Sequence, residues 1–146
     1  MINIGINGFG RIGRLILRAI LENYRNKIKV VAINDLGSIE TNAHLIKYDS
    51  THGIIKEEIN TSKEGFKLGD QEIKFYNKRS PNEIPWEDHG IDIVLECKGI
   101  FTKAEDAKKH LKGSVKKVLI SAPASNADIT IVSVSYTHLR AHETSR

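Results

Sequence analysis

An α/β fold, with a doubly wound, mostly parallel sheet and a small antiparallel insertion, is predicted by three features of the sequence. Apolar strand-like runs alternate with helical periodicity along most of the chain. A loop with regularly spaced glycines, Gly8-Phe9-Gly10-Arg11-Ile12-Gly13, joins the first strand to the first helix. The alternation breaks once, between Ile54 and Tyr76, into short strands. At 146 residues the chain has the size of one domain, enough to bury roughly 70% of the surface its unfolded form exposes.

Ile2 to Asn7 alternates and is β-branched, so a short strand feeds the glycine loop. The following helix carries an apolar stripe at Ile12, Leu15, Ile16, Ala19 and Ile20, with Arg14, Arg18 and Glu22 on the opposite face. Ile28 to Ile33 is continuously apolar, as a parallel strand covered on both faces must be. Strand, helix and strand make a right-handed βαβ unit. Ser38 caps a second helix with Ile39, Ala43 and Ile46 inward and Glu40 in its first turn.

Tyr48 to Gly53 reads as a polar loop. Gly69-Asp70 is a hairpin turn between Phe66-Lys67-Leu68 and the alternating run Glu72 to Tyr76, and this insertion belongs at a sheet edge. Ser80-Pro81-Asn82-Glu83 combines a capping box with proline at the first helical position, which predicts a short turn ended by Pro85. Asp92 to Glu96 returns to buried strand. Thr102 to Glu105 is a second capping box, opening a helix with Ala104, Ala107 and Leu111 inward and Gly113 as its stop. Lys116 to Ser121 and Asp128 to Val132 complete the strand set.

The glycine spacing carries the chemistry. Gly8 permits a tight turn, Gly10 lets backbone approach phosphates without a Cβ in the way, and Gly13 lets helix and strand pack closely. The helix N-terminus then aims unpaired N–H groups at an anion. Asp35, about 20 residues past the glycines, ends the second strand, where a carboxylate accepts hydrogen bonds from ribose hydroxyls. It also repels a 2′-phosphate, and Leu36 offers no charge to hold one. The cofactor expected is NAD rather than NADP.

Composition excludes other classes. The net charge of +4 comes from scattered residues, with Lys108, Lys109, Lys112, Lys116 and Lys117 as the one cluster, so nucleic acid is not the expected partner. No apolar run reaches the length of about 18 residues a membrane span needs. A lone cysteine, Cys97, and the lack of a leader pattern point to the cytoplasm. Cys97 ends a buried strand, where a thiol serves as a small apolar side chain rather than a nucleophile. His44, His52, His89 and His110 read as loop or surface residues. His138 and His142 are spaced i, i+4 but have no third ligand nearby, so no metal site is expected.

The run Ile6 to Arg14, with Asn34-Asp35, Tyr48 to Gly53, Trp86, Glu96 to Phe101 and Ile120 to Pro123, closely resembles phosphorylating glyceraldehyde-3-phosphate dehydrogenase. The resemblance runs from residue 2 to about 132, in the family's motif order. It implies a Rossmann-type NAD-binding domain over 1–132 and the cofactor half of a homotetrameric, cytoplasmic glycolytic oxidoreductase. By the same resemblance Gly8 and Gly10 form the phosphate loop, and Arg11 and Ile12 contact the pyrophosphate through their backbone. Asp35 holds the adenosine ribose, and Arg79 lies beside the adenine. Lys98, Gly99, Phe101, Ser121 and Ala122 line the path toward the nicotinamide, Lys98 standing where the family usually has threonine.

The family's nucleophilic cysteine lies in a Ser-Cys-Thr-Thr-Asn segment, followed later by a histidine base, and neither occurs in this sequence. The chain is therefore expected to lack the catalytic domain, and to bind NAD without turning over. After Val132 the pattern fails, and 133–146 resembles translated vector sequence, read as a non-native tail. The resemblance implies a C-terminal helix and subunit interfaces that cover this domain, and without them such a fragment is expected to self-associate through exposed apolar surface or to let its tail fill the gap. Two other readings remain open: a relative that acts on erythrose-4-phosphate, and a non-catalytic basic module that binds nucleic acid.

Overall fold

The computed structural model describes residues 1–49, 53–54, 58–69, 71–98, 108–111, 113–123 and 129–135, with backbone alone at 49, 53–54, 108, 122–123 and 129–135. Its parallel core comprises β1 (Ile2–Asn7), β2 (Ile28–Asn34), β7 (Gln71–Tyr76), β8 (Ile93–Glu96) and β9 (Lys117–Pro123). Helices α1 (Arg11–Asn23) and α2 (Ile39–Lys47) follow β1 and β2. Antiparallel strands β5 (Ile59–Thr61) and β6 (Gly65–Leu68) extend one edge and β10 (Ile129–Ser135) the other. The order across this sheet is β10-β9-β8-β1-β2-β7-β6-β5.

The doubly wound sheet and its antiparallel edge insertion are thus as the sequence predicts. A second antiparallel pair, β9 with β10, closes the other edge, and β10 continues to Ser135, across the boundary expected at 132. Tyr48 and Asp49, read as loop, form β3, which pairs with β4 (Gly53–Ile54) in a separate two-stranded sheet. The helix expected from Thr102 falls mostly outside the described residues. What is described is a 3-10 turn at Lys108–His110.

One irregularity sets which residues face which layer. Ile4 pairs with Val30 but Gly5 with Ala32, so β2 carries an extra residue at Val31. That shift puts Ile33 beside Ile6 on the α1 side, and Ala32 and Asn34 beside Gly5 and Asn7 on the other. The α1 side buries Ile4, Ile6, Phe9, Leu17, Ile20, Val30, Ile33 and Ile46. The opposite side buries Ala32, Ile84, Trp86, Ile91, Val94, Val118 and Ile120. Each fully buried aliphatic side chain stabilises the fold by about 1.5–3 kcal/mol.

In α1 the buried face is offset from the predicted stripe. Gly13, Leu17, Ile20 and Leu21 face inward, while Ala19 is exposed. Arg18, placed by sequence on the far face, is buried, and its Nη2 donates to the carbonyls of Ile46 (2.8 Å) and Lys47 (3.2 Å). The end of α2 leaves carbonyls without helical partners, and a guanidinium satisfies them and complements the helix dipole. Ser38 caps α2 as predicted, accepting from Thr41 N at 3.0 Å. Ser80 precedes a 3-10 turn at Pro81–Glu83, but its side chain makes no capping bond and pairs with Asn82 instead.

Candidate functional site

The C-terminal ends of β1, β2 and β8 lie side by side, and the glycine loop rises from the middle one. Gly8 adopts φ +96°, a conformation that L side chains rarely take. A Cβ there would also stand 2.7 Å from Lys98 N. Gly13 touches the loop from the helix: its Cβ would lie 2.6 Å from the Gly8 carbonyl oxygen. Gly10 is the opposite case, since a Cβ on it would meet nothing within 4 Å. Gly8 and Gly13 are therefore required by the protein's own packing, whereas Gly10 leaves space open in front of the loop.

That open space lies at the start of α1. Gly10 is the N-cap, has no side chain to cap with, and is followed by a first turn without acidic residues. The first helical N–H groups thus receive no side-chain cap, the condition under which a helix N-terminus binds an anion. Arg11 is exposed and Ile12 half-buried on this turn. Phe9 anchors the loop, buried edge-on against Phe75 and tilted against Phe66.

Asp35 faces the loop from the end of β2. Its Oδ1 accepts from Phe9 N at 2.9 Å, and its Oδ2 accepts from Gly37 N at 3.0 Å and Asn42 Nδ2 at 3.2 Å. The carboxylate is half-buried, and the neighbouring Leu36 is exposed. A cleft lined by Gly37, Ser38, Ile39, Lys63, Phe75, Tyr76 and Asn77 opens beside it. Arg79 is exposed and lies outside that lining. The residues present fit a dinucleotide: an uncapped helix terminus for its phosphates, a glycine without obstruction, and a fixed carboxylate for a ribose.

Beyond β1 on the other side, Lys98 is half-buried, and its backbone N donates to Glu96 Oε2 at 3.1 Å. Ser121 is buried, and its hydroxyl donates to the Glu96 carbonyl at 3.4 Å. Ala122 continues β9 next to it. Gly99 and Phe101 lie outside the described residues. Cys97 packs against the α1-side core, and burial pushes its thiol up to about 11, against a weaker lowering by a hydrogen bond with Ser121. A thiol held protonated is a poor nucleophile.

His110 corrects the sequence reading. It is fully buried rather than exposed, with Nε2 2.6 Å from Glu96 Oε1 and Nδ1 accepting from Trp86 Nε1 at 3.0 Å. His89 is half-buried with its Nε2 against the Tyr76 hydroxyl, His44 is exposed, and His52 lies outside the described residues. Glu96 and Asn7 were equally unmarked as buried polar groups, though a carboxylate closing the apolar run Ile93-Val94-Leu95 was a signal that something must satisfy it. No group of three potential metal ligands occurs among the described residues. Nor is any described helix long and apolar enough to cross a membrane.

Comparison with known proteins agrees with this geometry. Residues 2–104 match the family model described as glyceraldehyde 3-phosphate dehydrogenase, NAD binding domain. The chain is 52% identical over 132 residues to glyceraldehyde-3-phosphate dehydrogenase 1 of Bacillus cereus, covering 90% of this chain and 39% of that protein. It is 52% identical over 131 residues to the Streptomyces coelicolor enzyme and 50% identical over 131 residues to that of Geobacillus stearothermophilus, covering 90% of this chain and 39% and 38% of those proteins. The chain thus spans about two-fifths of the length of these relatives. With the glycine loop, Asp35 and the sheet edge in place, the chain belongs to the family of glyceraldehyde 3-phosphate dehydrogenase NAD-binding domains.

Proposed function

We propose that the chain binds NAD across the C-terminal ends of β2, β1 and β8 and forms the cofactor half of a phosphorylating glyceraldehyde-3-phosphate dehydrogenase. The observation that carries this reading is the pairing of an uncapped glycine helix terminus with Asp35, joined through Phe9 N at 2.9 Å. Arg11 and Ile12 present backbone N–H groups to the pyrophosphate, and Gly10 lets the phosphates come close. Asp35 accepts from the adenosine ribose hydroxyls, and its charge excludes a 2′-phosphate. The cleft at Gly37 and Tyr76 receives the adenine, with Arg79 at its margin. Lys98 and Ser121, at the ends of β8 and β9, adjoin the nicotinamide half, to which the family resemblance adds Gly99, Phe101 and Ala122.

Bound NAD supplies a hydride acceptor. The chain's own residues supply orientation and exclusion of water, and Cys97, held protonated, supplies no nucleophile to the reaction. The homotetramer of intact members is the assembly to which this domain contributes, and the isolated chain self-associates through exposed apolar side chains such as Leu45 and Tyr48. Calorimetric titration with NAD and with NADP tests the cofactor assignment. Binding of NAD in preference to NADP is expected, and no NAD binding at millimolar concentration overturns the reading. Sedimentation velocity tests the assembly, and a monomer at every concentration counts against it.

A further inference from the structure

Behind the glycine loop lies a set of polar side chains shielded from solvent. Asn7 pairs in register with Asn34 on β2 and with Glu96 on β8. These three and His110 are each at most 1% exposed. Asn34 Nδ2 donates to Asn7 Oδ1 at 2.8 Å, and Asn7 Nδ2 donates to Glu96 Oε1 at 2.8 Å. An indole N–H can only donate, so His110 Nδ1, the acceptor from Trp86, carries no proton. Nε2 therefore holds the ring's proton and donates it to Glu96 Oε1. The other carboxylate oxygen takes the N–H of Lys98. Glu96 thus accepts from three donors, and Trp86 fixes the tautomer that makes His110 one of them.

Apolar side chains of the same volume would stabilise a core at least as well as a buried polar cluster of this kind. Its value lies in what it holds still. Lys98 N is tied to Glu96, and the Lys98 backbone is the wall against which Gly8 turns. Because β2 and β8 flank β1 on opposite sides, the switch point of the sheet lies between β1 and β8. A dinucleotide with one ribose at Asp35 and its pyrophosphate at Gly10 must extend its second half across that point, over the end of β8.

We propose that Glu96 and His110 are positioning residues for this second half of the dinucleotide, acting through the Lys98 backbone at the end of β8, while Asp35 and the uncapped start of α1 hold the first half. The proposal rests on the cofactor reading above and divides the site into two separately supported halves. Glu96→Gln keeps the shape but places an amide N–H₂ against at least one of the three donors. The full chain and this variant are titrated with NAD and with ADP, which lacks the second nucleoside. The variant should lose about tenfold in NAD affinity, as expected for a broken bond to a buried charge, with ADP affinity unchanged.

Trp86→Phe, which removes the tautomer-fixing donor together with part of a buried ring, should lower NAD affinity in the same selective way. Nitrogen NMR of the wild-type chain should show His110 with a bare Nδ1 and a protonated Nε2, and a mixture of tautomers in Trp86→Phe. A wild-type chain that binds neither ligand overturns the cofactor reading itself. Wild-type binding combined with equal losses for NAD and ADP, or with no loss, overturns the positioning role and leaves that reading standing. Should Glu96→Gln fail to fold, Trp86→Phe and the wild-type tautomer decide: a protonated Nδ1 in the wild type sinks the proposal.

Discussion

Phe9 N donates to Asp35 Oδ1 at 2.9 Å, so the glycine loop and the end of β2 are held at a fixed separation by a carboxylate that also accepts from Gly37 N and Asn42 Nδ2. Asp35→Asn keeps one acceptor for Phe9 but turns an N–H₂ group toward donors that had an oxygen, and it removes the negative charge. NAD affinity should fall about tenfold. NADP should fall less, because repulsion of its 2′-phosphate is relieved. Calorimetry at matched ionic strength measures the ratio, and an unchanged NAD:NADP preference would sink this account of Asp35.

Gly8 and Gly10 separate stability from binding. At Gly8 an alanine Cβ would meet Lys98 N and Cα within 2.8 Å at a positive φ, so Gly8→Ala should destabilise the fold by about 1–3 kcal/mol. At Gly10 the Cβ would enter open space. Gly10→Ala should unfold within about 1 kcal/mol of the wild type, the cost of alanine at an N-cap, yet bind NAD weakly, because its methyl occupies the position a phosphate approaches. Urea unfolding paired with NAD titration checks both. A Gly10→Ala chain that binds normally would remove Gly10 from the site.

What the sequence shows of this site, and what it hides, follow sequence separation. Gly8, Gly10 and Gly13 act within one turn of chain, and Asp35 sits at the end of the next strand, so local spacing is enough to place them. His110 is joined to Trp86 and Glu96 only by the tertiary fold, with |i−j| of 24 and 14, and no periodicity marks it. Arg18 looked like a helix-surface charge because nothing in its own helix says that the open carbonyls of Ile46 and Lys47 lie within reach. The extra residue at Val31 is equally silent, since the run Ile28 to Ile33 is apolar whichever face each residue takes.

Gly5 is a contact that only packing reveals. It lies mid-strand in β1, where a Cβ would stand 2.6 Å from the ring of fully buried Trp86. Gly5→Ala must push the indole away from β1, and with it the Nε1 that holds His110. The expected cost is about 1–3 kcal/mol of stability. Trp86 is the chain's one tryptophan, so its fluorescence reports both the shift and the unfolding midpoint. A variant with wild-type midpoint and emission would show that β1 and the indole do not touch as described.

Cys97 gives the fold a defined alkaline weakness. Burial raises its thiol from 9.0 to about 11 in the folded chain. The unfolded chain releases this proton near 9 and the folded chain retains it until about 11. Between those values the folded state binds more protons, so its stability falls as pH rises, and below 9 this contribution is fully present. Other groups titrate in the same window, so the informative quantity is the difference between wild type and Cys97→Ala, followed by urea unfolding from about pH 8 upward. The wild type should lose stability relative to the variant as pH rises from about 9 to 11. Iodoacetamide should label the native thiol far more slowly than the urea-unfolded one at about pH 8. A pH-independent difference, together with fast native labelling, would mean that Cys97 is an accessible thiol of ordinary acidity.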